Sequence, residues 1–401
     1  MKHNLKQALT TAALLLCSMV AMAQTSATIT VDGIKYELDE TEKTATVVRS
    51  SYVGNIVIPE TVEHNGVVCS VTKIRDNAFH DCNRLKSVII PNSVTTIGDY
   101  AFYGCSGLTN VVIGDGVTTI GQEAFRNCTD LESITIGNSV TTIGYRAFND
   151  CTGLTSITIP NSVTKIGIAA FSGCTGLKSI TIPNSVTTIE SIVFSDCTGL
   201  KSIVVESGNT KYDSREGCNA IIETATNTLV TGCKNTVIPE SVTTIGRGAF
   251  SRCTGLTRIT IPNSVITIGD DAFSYCSGLT RITIPNCVTT IGRGAFFGCI
   301  GLTRITIPNS VTTIGGGAFF GCIGLTRITI PNSVTKIGRG AFSNCTGLIS
   351  ISVMSEVPPT IEDNIINEND YRKVTLYIPK SSISKYETTK YWIKFRKKQK
   401  L

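Results

Sequence analysis

Residues 154–176 read LTSITIPNSVTKIGIAAFSGCTG, and this stretch decides the fold because the chain repeats it every 23 residues. Its leading leucine recurs at Leu85, Leu108, Leu131, Leu154, Leu177 and Leu200, and resumes at Leu256, Leu279, Leu302, Leu325 and Leu348. A phenylalanine column runs in step from Phe79 to Phe194 and again from Phe250 to Phe342, and it holds eleven of the fourteen phenylalanines. Within one unit, SITIP and VTKIG alternate apolar and polar residues, the mark of short half-buried strands. Ile157 and Ile159 are expected to point inward, and Ser156 and Thr158 outward. Pro160 ends the first strand because it has no N–H for a ladder, and Gly167 allows the next turn. AAFSGC has an apolar spacing that predicts a short helical turn. One unit has too little apolar surface to fold alone, so neighbouring units must stack to complete the core.

The motif LxxITIPxSVTxIGxxAFxxCxG resembles that of the BspA-like leucine-rich repeat surface proteins. The likeness covers residues 67–355, and its style extends to VDGIKYELDETEKTATVV before the array and TLYIPKSSISKYETTKYWIKF after it. The predicted fold is a β-rich solenoid of leucine-rich-repeat type, about eleven to twelve coils of 23 residues, capped at both ends. The resemblance implies a role in bacterial surface adhesion, through binding of host or partner-cell components. Fold alone does not fix function, and a structural role in the envelope, without a dedicated ligand, is the rival expectation.

The domain plan follows. Residues 1–23 read as a secretory leader: Lys2 and Lys6, an apolar run over 8–20, then Ala21-Met22-Ala23 with cleavage expected before Gln24. Cys17 raises the alternative of lipidation, although Leu16 stands where lipoprotein signals carry a small residue. Residues 24–66 are expected to form a β-hairpin cap over the first open edge, 67–355 the solenoid, and 356–401 a C-terminal cap with a basic tail. The period slips from 23 to 56 at 201–245, where NAIIETATNTLVTG predicts two strands around a turn at 224–227. After the leader no apolar stretch is long enough to span a bilayer.

Charge excludes a nucleic-acid partner. The formal net charge is +6, but without Lys2, Lys6 and the five cations of 394–400 the body carries about −1. Catalytic constellations are not evident. The mature chain keeps only His64 and His80, so no Ser-His-Asp or Cys-His arrangement is expected in the array. Asp99, Glu123 and Asp150 are expected at exposed, non-recurring positions, without a paired acid and base. Gly315-Gly316-Gly317 lacks the Lys-Ser/Thr of a phosphate loop. An enzyme, a cofactor and a metal are therefore not expected.

Eleven of the sixteen cysteines share one column, three residues after the phenylalanine, and are expected to pack as small apolar side chains. There is no CxxC pair to suggest zinc. Cys218 and Cys233 are symmetric about the 224–227 turn, which leaves two readings: a disulfide across the hairpin, or two free thiols. Cys287 replaces a serine of the motif.

One outward column changes character along the array. It reads Ser87, Asn110, Ser133, Ser156, Ser179, Ser202, then Arg258, Arg281, Arg304, Arg327 and finally Ser350. Duplication of one coil accounts for the identity of the four arginines. The functional reading is an anion-binding stripe for an extracellular protein or acidic glycan, since guanidinium forks suit carboxylate and sulfate. Arg247, Arg293 and Arg339 add charge in a second column.

Overall fold

The computed structural model describes residues 26–401; the leader, its cleavage site and Cys17 lie outside the described residues. The chain winds as a β-solenoid in which each coil lies on the previous one in register, one 23-residue period apart. On one side the first strands form parallel ladders, as in Ser87↔Asn110 and Asn110↔Ser133. On a second side, two-residue strands pair Thr96, Thr119, Thr142, Lys165 and Thr188 in order. The inward isoleucines and valines of both ladders are buried, while the intervening threonines and serines face solvent.

The third side departs from the expected helical turn. Residues such as 75–82 form linked β-turns, in which alternate N–H groups bond in different directions. Ala78, His80 and Cys82 donate three residues back, to Arg75, Asn77 and Phe79. Asn77, Phe79 and Asp81 donate to the next coil, to the carbonyls of Asp99, Ala101 and Tyr103. A helix cannot offer every second N–H sideways, because it uses them all along its own axis. The alternation requires left-handed residues: Asn77 and Asp81 both have φ of 60°. The later coils repeat this, with Gly104, Asn127, Asp150 and Gly173 in the Asp81 position, all at positive φ.

The phenylalanines stack face to face along the solenoid axis. Phe125 and Phe148 are 5.3 Å apart at 3°, and Phe148 and Phe171 are 5.4 Å apart at 4°. Tyr52 extends this column one step before the first repeat, 4.3 Å from Phe79. Before it, Ser26–Val31 and Ile34–Asp39 form an antiparallel pair, and Thr44–Val47 joins that pair to Val67–Ile74 and so to the second-side sheet.

The ladder breaks at the variant segment. The second-side sheet ends at Thr188–Ile189, where the Ile189 N–H donates to the Tyr212 hydroxyl at 3.1 Å. Ala220–Glu223 and Thr228–Gly232 pair antiparallel around 224–227, and Thr228–Gly232 then pairs in parallel with Thr244–Ile245, from which the array resumes. Arg215 pins this segment: Nε and Nη2 grip Asp213 at 2.8 and 2.6 Å, and Nη1 donates to Asn227 and Ser241. The strand acts as a plate between two cores. Ile221 packs into the cluster of the first coils, and Ala220 and Ile222 into that of the later ones. Gly232 lies over Phe250; a Cβ there would come within 2.4 Å of its ring. Glycine therefore replaces phenylalanine where the stack restarts.

Replacing Phe148 by alanine, with an aromatic neighbour on each side, is expected to cost about 3–5 kcal/mol of stability. The exposed Arg304→Ser is expected to change it by less than about 0.5 kcal/mol. Urea denaturation followed by circular dichroism checks both.

Candidate functional site

The arginine column lies on the first-strand side. Arg281 and Arg304 are direct partners in a parallel ladder, and the Thr260↔Thr283 bridge places Arg258 in register beside Arg281. Arg327 continues the line and is followed by its partner Ser350. In every case the next residue is an inward isoleucine, which fixes the arginine outward; all four are exposed. None makes an ion pair among the described residues. The same column in the first coils behaves differently: Ser87 donates to Asn55 and Ser133 to Asn110, both at 2.8 Å. Serine and asparagine can bond to their own kind along the stack, whereas guanidinium groups offer donors only. Like charges in register oppose one another, so the four forks have no partner along the stack. Exposed threonines such as Thr283 and Thr306 flank them.

The cysteine column proves to be a hydrogen-bonded ladder, a feature that spacing alone did not disclose. Cys105 Sγ donates to the carbonyl of Phe79 at 3.0 Å, Cys128 to Phe102 at 3.1 Å and Cys151 to Phe125 at 3.1 Å. The pattern holds in the later coils, as for Cys299 on Phe273 and Cys345 on Phe319. Each such carbonyl also accepts an N–H within its own turn, as Phe79 does from Cys82, so the thiol fills its second lone pair. Burial pushes the thiols of Cys128 and Cys151 far up the scale, and raises Cys299 and Cys345 to about 12. Cys287 alone among the described cysteines is exposed.

Cys218 and Cys233 are free, buried thiols. Cys233 belongs to the first core cluster and Cys218 to the second. Cys233 Sγ lies 3.5 Å from the Asn219 carbonyl and Cys218 Sγ 3.7 Å from the Ala220 carbonyl.

The remaining titratable residues serve the coil. Asp76 and Asp99 are not isolated: each Oδ1 caps a backbone N–H of the next coil, at Asp99 and Gln122. Glu123 is a correction to the expected exposed acid. It is buried and pairs with Arg126 at 2.7 Å, because Arg126 lies one turn on and folds back over it. His80 pairs with Asp81 and stacks on Tyr103. Among the described residues no group of three or more His, Cys, Asp or Glu gathers to hold a metal ion, and no helix is long and apolar enough to cross a membrane.

Coils of this length, with stacked phenylalanines and inward isoleucines, define a leucine-rich-repeat solenoid. The model of the BspA type leucine-rich repeat region matches residues 67–152, 221–349 and 267–387, and the chain belongs to that family. A leucine-rich cell surface protein from Faecalibacterium prausnitzii A2-165 is 33% identical, with a TM-score of 0.62 over 82% of this chain and 95% of that one. A leucine-rich repeat protein from Eubacterium ventriosum is 25% identical, with a TM-score of 0.61 over 84% and 86%. Another from Bacteroides ovatus is 27% identical, with a TM-score of 0.54 over 93% and 99%. No curated protein matches the chain.

Two measurements follow for the thiols. In the native mature chain only Cys287 is expected to react rapidly with a thiol reagent at pH 8, and Cys287→Ser is expected to abolish that phase; the column, Cys218 and Cys233 react on unfolding. The second is alkaline stability. A thiol raised in the folded state stabilises fully below its unfolded value near pH 8.5. That contribution falls by about 1.4 kcal/mol per pH unit for each thiol until the folded value near 12. Loss of structure is therefore expected between pH 9 and 12, at higher pH in variants with column cysteines replaced by alanine. A transition midpoint unchanged from pH 8 to 10.5 would contradict it.

Proposed function

We propose that this chain is an exported surface repeat protein that binds an extracellular protein or an acidic glycan along its arginine face and performs no catalysis. The observation that carries the reading is the in-register line of Arg258, Arg281, Arg304 and Arg327, exposed and without internal partners. Spaced at the rise of one coil, roughly 4.8 Å, the forks match a ligand with closely repeated carboxylates or sulfates. A rigid ladder also lowers the ordering cost of binding, since the strand positions are fixed beforehand. Export rests on the leader-like residues 1–23 and agrees with the cell-surface description of the F. prausnitzii relative. The segments on either side of the array act as caps that protect the end coils.

Replacing the four arginines together by serine, the residue this column carries in the first coils, should leave the fold intact. Affinity for heparin is expected to fall by about tenfold or more, with its salt dependence. Equal, salt-insensitive binding by native and variant chains would reject the arginine face and favour a scaffold role. Expression of the full chain with its leader is expected to give a secreted product whose first residue is Gln24, read by N-terminal sequencing; retention of Cys17 in the product would indicate lipidation instead.

A further inference from the structure

A second aromatic row lies outside the core. The residue after each core phenylalanine lies beside the phenylalanine stack, and in most later coils it is serine: Ser251, half-buried, and Ser274 and Ser343, buried. In two coils it is Phe297 and Phe320, half-buried and stacked 4.7 Å apart at 6°. Tyr275 abuts the row at 5.1 Å from Phe297, with the Arg252 guanidinium 4.7 Å over its ring. The row then stops at Ser343. One coil further on, the strand ladder continues with a one-residue insertion, Lys336 pairing with Thr360, while the turn side is less regular. The N–H groups of Gly340 and Phe342 donate to the carbonyls of Asn364 and Ile365. The strand register aligns Asn367 with Ser343 in the column of Phe320, and Asn367 Nδ2 donates to Asn344 Oδ1 at 2.8 Å.

The result is a slot. Phe320 forms one wall, Asn367 the other, and Ser343 the floor, with the two walls about two coil rises or ~9.6 Å apart. That gap leaves room for one ring stacked on the outer face of Phe320. The hollow has a volume of about 410 Å³ and opens to solvent, with Gly317 and Gly340 at its side. Its rim is polar and already arranged. Lys394 Nζ donates to Asn364 Oδ1 at 2.8 Å and to Glu368 at 3.0 Å, and Arg339 pairs with Asp363 at 3.2 Å. Each carboxylate is therefore balanced by a cation, so the rim favours neither a phosphate nor a free base. The Nδ2 groups of Asn344 and Asn364 and the Oδ1 of Asn367 have no protein partner among the described residues, and remain available as two donors and an acceptor.

We propose that this slot binds a single ring of an uncharged glycan. A pyranose carries C–H groups on a face, which suit the ring of Phe320, and hydroxyls on its edge, which suit amides and balanced carboxylates. The row, the hollow and the amide rim are independent of the arginine column on the strand side, and the proposal does not rest on it.

The sister coils supply substitutions that the fold accepts. Phe320→Ser removes the wall and restores the commoner residue; Ser343→Phe extends the row and fills the slot, as Phe297 and Phe320 do in their own coils. The mature chain is titrated calorimetrically with a soluble glucan, a mannan and a xyloglucan. Binding of at least one is expected, weakened about tenfold or more by each variant, with thermal stability and heparin affinity unchanged. The variant lacking the four strand-side arginines is expected to bind the neutral glycan as the native chain does. Binding of no neutral glycan by the native chain would overturn the proposal, as would equal binding by both slot variants; capture of an aromatic peptide in their place would assign the slot to a protein.

Discussion

Each coil hydrogen-bonds to the next through residues that occupy the same place in the repeat, and this in-register ladder constrains everything else. A rise of roughly 4.8 Å per coil means that any side chain must pack against a copy of itself. Phenylalanine satisfies this by stacking near 5 Å, as from Phe102 through Phe171; each such contact contributes about 0.5–1.5 kcal/mol beyond burial. Threonine satisfies it with its hydroxyl, as Thr118 donates to the Thr95 carbonyl and Thr141 to that of Thr118. Aspartate and asparagine cap the N–H of the next coil, as Asn92 does for Asp115 and Asp115 for Asn138.

The cysteines follow from the same constraint. The turn leaves a carbonyl lone pair inside the core, and a residue there must be small, largely apolar and able to donate. Cysteine meets all three conditions. Serine would carry a stronger donor but lose more on leaving water, and alanine would leave the lone pair unfilled. The abundance of thiols thus reflects packing against the phenylalanine carbonyls and not a disulfide framework.

Much of this was legible in the sequence because a period multiplies weak signals. One Phe at one position says little, but eleven at 23-residue spacing fix the core column. The strands were legible from the alternation in SITIP. The third side was misread because AAFSGC has helical spacing when seen alone. The needed signal lay in the column of Asp81, Gly104, Asn127, Asp150 and Gly173, residue types that tolerate positive φ. Tyr52 as the first ring of the stack was hidden, since no complete repeat precedes it. The slot was hidden for a related reason. The change from Phe320 to Ser343 is plain in the sequence, but Asn367 joins that column only through a one-residue insertion, which no fixed period would align.

A column of identical residues makes a surface, not a pocket, because each side chain occupies the space above its predecessor. The arginine line is of the first kind: it presents the same charge once per coil along the strand face. A pocket requires that the repeat be broken, so that a side chain is missing between two that are present. Ser343 between Phe320 and Asn367 is such a break, and the loss of a ring there leaves a gap of about one ring. The repeat supplies rigid walls at fixed spacing, and a single small residue supplies the room. Specificity in this solenoid is therefore sought where the columns change identity, with the regular coils between them as the frame that holds those positions apart.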